Sequence, residues 1–334
     1  MKTLIDTILS GKTLTEAEAG ELLGHLTSDE LDHAQAAAAL AGMRTRGETA
    51  DEMRAFAMGL QEKAVAPAID DVSGAVDVVG TGGDASGSLN LSTGAALVAA
   101  AAGAEVIKHG NRSVSSKSGS FDVLVALGLD LPWDRDRAGE VFSETGFTYL
   151  FAPAFHPSMK TVAPVRQALG TRTIFNLIGP LANPARTPHL VVGAFSLECA
   201  RMMADTLSGM DITRAFVVHG EPGWDEPTPV GPYAIFDVRP GSVSAAEEDP
   251  ESFGFARCAP EDLLGGDAEH NAEAIRDVFS GAPGHHRDAL VLGASLALRV
   301  TGAALGESLD RAATAIDDGS ASTLLYRLTG ASDV

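Results

Sequence analysis

The sequence predicts an α/β protein in two parts: a small N-terminal helical-bundle domain, and a large α/β domain with a central, mostly parallel sheet surrounded by helices. Three observations carry that expectation. The first 70 residues show helical spacing throughout. From Ala75 onward short apolar runs alternate with helical stretches, the pattern of βαβ units. The first of these runs, Ala75 to Val79, stops at Gly80, as a buried parallel strand does.

The elements follow in order. Leu4, Ile5, Ile8 and Leu9 share one helical face. Thr15 with Glu18, and Thr49 with Glu52, are capping-box pairs that open the second and fourth helices. Ser28 is expected to cap the third, which runs through alanines to Met43. Met53, Phe56, Ala57 and Leu60 form the inner side of the fourth. Further strands are expected at Ala104–Ile107, Phe147–Phe151, Leu190–Phe195, Ala215–Val218 and Ala234–Val238. Helices are expected at Asn90–Ala102, Ser120–Leu127, Glu198–Leu207, Asn271–Phe279, Arg287–Thr301 and Leu309–Asp318. Glu247–Glu251 reads as a solvated loop, His285 and His286 as loop residues, and His25 and His33 as helix surface. Helical Pro164–Leu169 and Gly/Pro-rich Asn176–Pro184 are expected to return to the bundle. The division is then 1–72, joined by about 163–188, against 73–162 with 189–334, and a cleft lies between them.

Composition narrows the function. The 334 residues hold 24 Lys plus Arg, only six of them Lys, against 45 Asp plus Glu, a formal net charge of −21. Such acidity opposes binding to nucleic acid or to an anionic membrane, so neither is expected as a partner. Cys199 and Cys258 match no metal spacing and suggest a reducing compartment. Met1–Gly11 lacks the pattern of a secretory signal, and polar residues interrupt Leu89–Ile107, so a cytoplasmic location is expected.

Chemistry concentrates at four places. Gly80, Thr81, Gly82, Gly83 and Asp84, then Ser88, Asn90, Ser92 and Thr93, lie between a strand and a helix. Glycines let backbone N–H groups converge on an anion, and the helix N-terminus adds partial positive charge. The Gly–Lys–Ser/Thr ending of a Walker A loop is missing. The second loop is Lys108, His109, Gly110, Asn111, Arg112, Ser113, Ser115, Ser116, Lys117, Ser118, Gly119 and Ser120. Its cations and serines suit a polyphosphate, with Arg as a fork and Lys as a mobile charge. Third, adjacent Asp225 and Glu226 after a strand suit Mg²⁺, which takes one or two carboxylates plus substrate phosphates. Fourth, His156 is an acid, a base or a hydrogen-bond donor, and Arg166 a partner for a substrate carboxylate; spacing alone fixes neither role. These residues favour chemistry on a phosphorylated, Mg²⁺-bound substrate without saying which bond breaks.

At this point the chain resembles the anthranilate phosphoribosyltransferase family over nearly its whole length. The matching segments are GTGGD at Gly80–Asp84, NLST at Asn90–Thr93 and KHGNRSVSSKSGSFDVLVALG at Lys108–Gly128. They continue with FAPAFHPSMKTVAPVRQALGTRTIFNLIGPLANPA at Phe151–Ala185 and GGDAEHNAEAIR at Gly265–Arg276. The resemblance implies a two-domain fold around a cleft and a homodimer through the small domain. It implies transfer of 5-phosphoribosyl from phosphoribosyl pyrophosphate to the amine of anthranilate. The two loops, from Gly80 to Thr93 and from Lys108 to Ser120, then resemble the donor surface. Asp225 and Glu226 match the Mg²⁺ pair, with Ser92 near a second metal, so two Mg²⁺ per site are implied. Asn111 and Arg166 match the anthranilate contacts, with Gly80, His109, His156 and Gly179 along the same channel. No discrete general acid or base is implied, because a neutral aromatic amine needs placement more than deprotonation.

The chain departs from the family pattern at Trp224, where an aliphatic residue is usual, at Pro227 and Pro229, and at Gly293, where Asn is common. The carboxylates remain, so metal binding is expected to survive, with local packing in doubt at Gly293. Two other readings compete. A pyrimidine nucleoside phosphorylase of the same fold would need a nucleobase pocket in place of Asn111 and Arg166. A non-catalytic nucleic-acid-binding paralogue is opposed by the acidity.

Overall fold

The computed structural model describes residues 1–84, 86–112 and 117–330. Ser113, Ser115 and Ser116 lie outside the described residues. The chain opens with four helices, α1 (Lys2–Leu9), α2 (Glu16–Leu26), α3 (His33–Arg46) and α4 (Ala50–Glu62). Both capping boxes form: Thr15 and Thr49 accept from the N–H groups of Glu18 and Glu52, whose carboxylates accept in return. Glu52 does more than cap. It is fully buried, takes two 2.7 Å hydrogen bonds from Arg46 and accepts the Leu14 N–H at 2.8 Å. Ser28 does not cap α3. That role falls to Asp32, whose carboxylate accepts from the N–H groups of Ala34 and Gln35. The helices approach closely: a Cβ on Gly42 would meet the Ile8 side chain at 2.7 Å.

A seven-stranded sheet follows. Its strands are β1 (Ala75–Gly80), β2 (Glu105–Gly110), β3 (Phe147–Phe151), β4 (His189–Gly193), β5 (Arg214–Gly220), β6 (Tyr233–Arg239) and β7 (Ser242–Glu248). The order is β3-β2-β1-β4-β5-β6-β7. The first five run parallel, and β6 and β7 add antiparallel. Between strands lie α5 (Leu91–Ala101), α6 (Ser120–Ala126), α7 (Arg135–Thr145), α8 (Ala152–Phe155), α9 (Met159–Leu169), α10 (Ile174–Leu177) and α11 (Leu197–Ser208). The chain closes with α12 (Ala268–Phe279), α13 (His285–Val300), α14 (Leu305–Asp317) and α15 (Ser320–Leu328). None of the helices among the described residues is long and apolar enough to cross a membrane.

Alternation along each strand splits the core. Val191 faces α5, α13 and α15, while Leu190 and Val192 face the opposite side with α11. That second core runs without a break into the helical bundle and takes in Val162, Val165, Ile174 and Phe175 of α9 and α10. The Phe175 and Phe56 rings meet edge to face at 5.7 Å. The chain therefore returns to the bundle between β3 and β4.

Three further sequence expectations fail. Glu247 and Glu248 are on β7 rather than in a loop, and Glu248 takes hydrogen bonds of 2.6 and 2.8 Å from Arg299 and 2.6 Å from Tyr233. This edge strand is mostly exposed, so hydrophobic patterning does not mark it. His285 and His286 form the first turn of α13. Lys108, His109 and Gly110 belong to β2 rather than to the loop beyond it.

Candidate functional site

Strand order reverses between β2-β1 and β4-β5, so a crevice opens at the carboxyl ends of β1 and β4, where open α/β sheets bind ligands. Gly80 and Gly193 end those strands as register partners. Both are needed there for the same reason. A Cβ on Gly80 would collide with the Asp225 carboxylate, and one on Gly193 with the Asp225 carbonyl oxygen. The loop after β5 thus presses its acidic pair into the gap between two glycines.

The pair is held by the amides expected to receive an anion. Gly82 N–H donates to the Asp225 carboxylate at 2.8 Å, and Ser92 N–H, in the first turn of α5, to Glu226 at 2.7 Å. Burial, then the neighbouring Asp84 charge, pushes the Asp225 carboxyl up to about 7. Glu226 is also held well above the usual range, by burial and then by Asp225 and Asp84. A cavity of about 20 Å³, room for one water, lies behind the pair, lined by Ser92, Ala95, Pro227 and Gly293 among others. Gly293 fits its place, since a Cβ there would stand 2.8 Å from that of Ala95. Trp224 is buried in the main core, and its N–H and carbonyl both bond to Gly220.

This donor set suits Mg²⁺. Asp225 and Glu226 offer two carboxylates, with the Asp84 carboxylate and Ser92 beside them. Among the described residues no group of three or more His, Cys, Asp or Glu could hold a metal alone. Mg²⁺ usually keeps waters and completes its shell with substrate phosphates. A divalent cation would relieve the repulsion that keeps these carboxyls hard to ionise.

Support for the first loop comes from a distant segment. Asn90 donates to the Ser118 carbonyl at 3.1 Å and accepts from Asn271 at 2.8 Å. Asn271 in turn accepts from Gly266 N–H, while Gly265 N–H donates to the Gly87 carbonyl. The GGDAEHN segment is therefore a brace behind the glycine loop. Thr93 is buried, its hydroxyl lacking a partner among the described residues, and the Ser86 and Ser88 hydroxyls meet at 3.0 Å.

Along β2 the expected cation does not reach into the crevice. Lys108 is buried and its Nζ donates to the Val78 carbonyl. Burial lowers its pKa against the pull of Asp77, Glu226 and Asp225. Asp77, fully buried on β1, accepts from His109 N–H at 3.2 Å and from Asn183 at 2.8 Å. Asn183 also donates to the Ile107 carbonyl at 2.8 Å, tying the chain's return from the bundle to the sheet. A carboxylate inside an apolar strand run is the sequence signal for this network. Asn111, Arg112 and Lys117 are exposed, with Arg112 4.6 Å above the Phe121 ring. Gly119 N–H is capped by Asp122, and Ser120 bonds to Tyr149 at 3.0 Å.

His109 and His156 meet edge to face at 5.1 Å. Burial, then His156, lowers His109 to about 3, and burial lowers His156 to about 4, so both are neutral at ordinary pH. Neither His156 nitrogen has a hydrogen bond of normal geometry among the described residues. The Gly179 and Ala182 backbone nevertheless lies near enough to favour protonation of His109 and His156 respectively. Arg166 lies 5.4 Å over Phe175 with no carboxylate paired to it among the described residues. Asp77, Asn183, Asn271 and Arg172 carry no role in the sequence reading, although the last three lie inside the matching segments Phe151–Ala185 and Gly265–Arg276.

Known proteins share both parts of the chain. A helical bundle domain of a glycosyl transferase family matches residues 2–64, and an a/b domain of a glycosyl transferase family matches residues 73–322. The anthranilate phosphoribosyltransferase of Methylobacterium nodulans is 45% identical over 334 residues, covering 99% of this chain and 98% of the relative. That of Azorhizobium caulinodans is 44% identical over 332 residues, covering 99% and 96%. The crystal structure of anthranilate phosphoribosyltransferase from Thermus thermophilus matches with a TM-score of 0.91 at 41% identity, over 98% of each chain. The Saccharomyces cerevisiae protein in complex with PRPP and Mg has the same fold, with a TM-score of 0.88 at 23% identity over 98% and 96%.

Proposed function

The chain belongs to the anthranilate phosphoribosyltransferase family, and we propose that its two substrates meet in the crevice at the carboxyl ends of β1 and β4. The activity is transfer of the 5-phosphoribosyl group from phosphoribosyl pyrophosphate to the amine of anthranilate, releasing pyrophosphate. This is the second step of tryptophan synthesis from chorismate. Neither the phosphorylase reading nor the nucleic-acid-binding one gains support from the related proteins.

The observation that carries the placement is the convergence of the Gly80–Asp84 loop and the N-terminus of α5 on Asp225 and Glu226. In our reading Gly82, Gly83, Asn90, Ser92 and Thr93 cradle the donor, and the exposed Arg112 and Lys117 cover its phosphates. Lys108 acts from beneath, as a buried positive charge under the acidic pair. Asp225 and Glu226, with Ser92, would hold Mg²⁺, two ions per site. When bound, the metal supplies positive charge that stabilises departing pyrophosphate.

The acceptor is assigned to the Arg166 side. Arg166 has no carboxylate partner among the described residues, so it is free to fork onto that of anthranilate, with Asn111, Gly179 and the neutral His109 and His156 around it. As the C1–O bond lengthens, C1 becomes oxocarbenium-like and the amine nitrogen adds to it. The amine proton leaves after bond formation, to the released pyrophosphate or to water, so no residue need serve as base. Dividing the chain into the bundle with 163–188 and the α/β remainder makes this a cleft between two bodies. We read the exposed Leu9 and Met58 on the bundle as part of a homodimer face.

The test is direct. Purified protein with Mg²⁺, phosphoribosyl pyrophosphate and anthranilate should deplete anthranilate fluorescence, and EDTA should stop it. No loss across a range of salt concentrations, with folded protein, overturns the reading. Analytical ultracentrifugation decides the dimer.

A further inference from the structure

Arg172 lies in the turn between α9 and α10, on the segment whose core is shared with the helical bundle. Its guanidinium reaches to the α/β body, where Nη2 donates to the carbonyl of Gly83. The same guanidinium lies 4.4 Å over the ring of Phe195, just beyond β4. Phe195 N–H donates to the Thr81 hydroxyl at 3.3 Å, and Thr81 N–H to the Gly193 carbonyl at 2.9 Å. One cation thus grips the glycine loop twice, directly at Gly83 and through Phe195 at Thr81. Gly83 suits the contact on two counts: its φ is +76°, and a Cβ would fall on the guanidinium. No carboxylate is paired with Arg172 among the described residues, so an acidic side chain does not explain its place.

We propose that Arg172 is a positioning residue for the phosphoribosyl donor, latching the glycine loop to the segment that carries Arg166. This rests on the donor-site reading above. Donor binding to an amide nest requires the N–H groups to be aimed before the anion arrives, and a loop with positive φ at Gly82, Gly83 and Gly87 has many other conformations to visit. The latch removes part of that freedom. Because Arg172 and Arg166 share one segment, it also registers the donor loop against the acceptor helix α9. A merely structural contact would support stability and leave the donor constants alone.

Arg172→Gln, Arg172→Lys and Phe195→Leu, in the full-length protein, separate these cases. Steady-state rates would be measured against phosphoribosyl pyrophosphate at saturating anthranilate. Donor affinity would be measured by calorimetry with Mg²⁺ and no acceptor, and folding by thermal melting. Arg172→Gln should raise the donor KM and Kd by about tenfold to a hundredfold, the range of a lost hydrogen bond to a charged group. Melting should stay near the wild type. Arg172→Lys should recover part of the loss, because it keeps charge and a donor but not the planar stack. Phe195→Leu should weaken donor binding several-fold, as a lost cation–π contact does. Donor KM and Kd within about twofold of wild type in both Arg172 variants would overturn the proposal. So would a fall in melting temperature with donor constants unchanged. Calorimetry distinguishes this from failure of the functional reading. A wild type that binds donor but does not turn over with anthranilate sinks only the acceptor assignment, and one that binds no donor sinks both.

Discussion

Gly193→Ala offers a sharp test of how the acidic pair is placed. Gly193 has ordinary φ, so alanine costs the backbone nothing there. The new Cβ would collide with the Asp225 backbone oxygen, and a Cβ is fixed by its own backbone, so no rotamer avoids the contact. Backbone cannot yield as a side chain tip does, so the Asp225–Glu226 loop must retreat by more than about 1 Å to restore van der Waals contact. A displacement of about that size in a positioned group costs on the order of a hundredfold in rate. Overpacking adds roughly 1–3 kcal/mol of instability, a melting drop of a few degrees. The assay is anthranilate fluorescence loss across a Mg²⁺ titration, beside Gly306→Ala on α14. A Cβ on Gly306 meets nothing within 4 Å, so that variant should keep full activity. Wild-type rate and Mg²⁺ dependence in Gly193→Ala would refute the claim that this glycine sets the carboxylates.

Three further outcomes are expected. Arg166→Ala should raise the anthranilate KM by about tenfold to a hundredfold while leaving donor binding by calorimetry intact; an unchanged KM removes Arg166 from the acceptor site. Asn183→Ala strips partners from Asp77 and from the Ile107 carbonyl inside the sheet and should cost about 2–4 kcal/mol in urea unfolding, whereas a loss within error would mean the network is idle. His156, lowered to about 4 by burial, holds fewer protons folded than unfolded below about pH 6.5, so its contribution to stability is full above that and is lost as pH falls toward 4. Melting between pH 7 and 4.5 should therefore fall less steeply in His156→Gln, and parallel curves would contradict the buried neutral imidazole.

Local signals are legible where local physics decides. Thr15–Glu18 and Thr49–Glu52 cap because the spacing brings side chain and amide together without help from the rest of the fold. The parallel strands are legible because burial on both faces makes them continuous apolar runs. β7 is not, because the Arg239–Ser242 hairpin pairing and the Arg299–Glu248 contact hold it rather than an apolar face. The third helix cap goes to Asp32 instead of Ser28 because both residue types can cap and α3 begins at His33, which puts Asp32 at the N-cap position. At the site, residue types are visible but directions are not. Lys108 reads as a phosphate cation in a motif, yet strand parity turns it inward to the Val78 carbonyl. Arg172 reads as one arginine among many until the fold carries its turn to Gly83.

The net charge of −21 and a polyanionic donor are reconciled at one point. The amides of Gly82 and Ser92 donate to the carboxylates of Asp225 and Glu226. The nest is therefore closed by the same groups that suit Mg²⁺. Donor phosphates and carboxylates cannot share those amides, so donor without metal would add anionic charge beside carboxyls already driven toward protonation, Asp225 by burial and Asp84, and Glu226 by burial, Asp225 and Asp84. A divalent cation held by these carboxylates would cancel the repulsion and, in our reading, compete with the amides for them. Donor affinity and metal affinity must then rise together, each by the same factor, since linkage is reciprocal. Calorimetric donor binding with and without Mg²⁺ should show that common factor, and Asp225→Asn should reduce it toward one. Equal donor affinity in both conditions would mean that the amides are not shared and that the acidic pair and the glycine loop act separately.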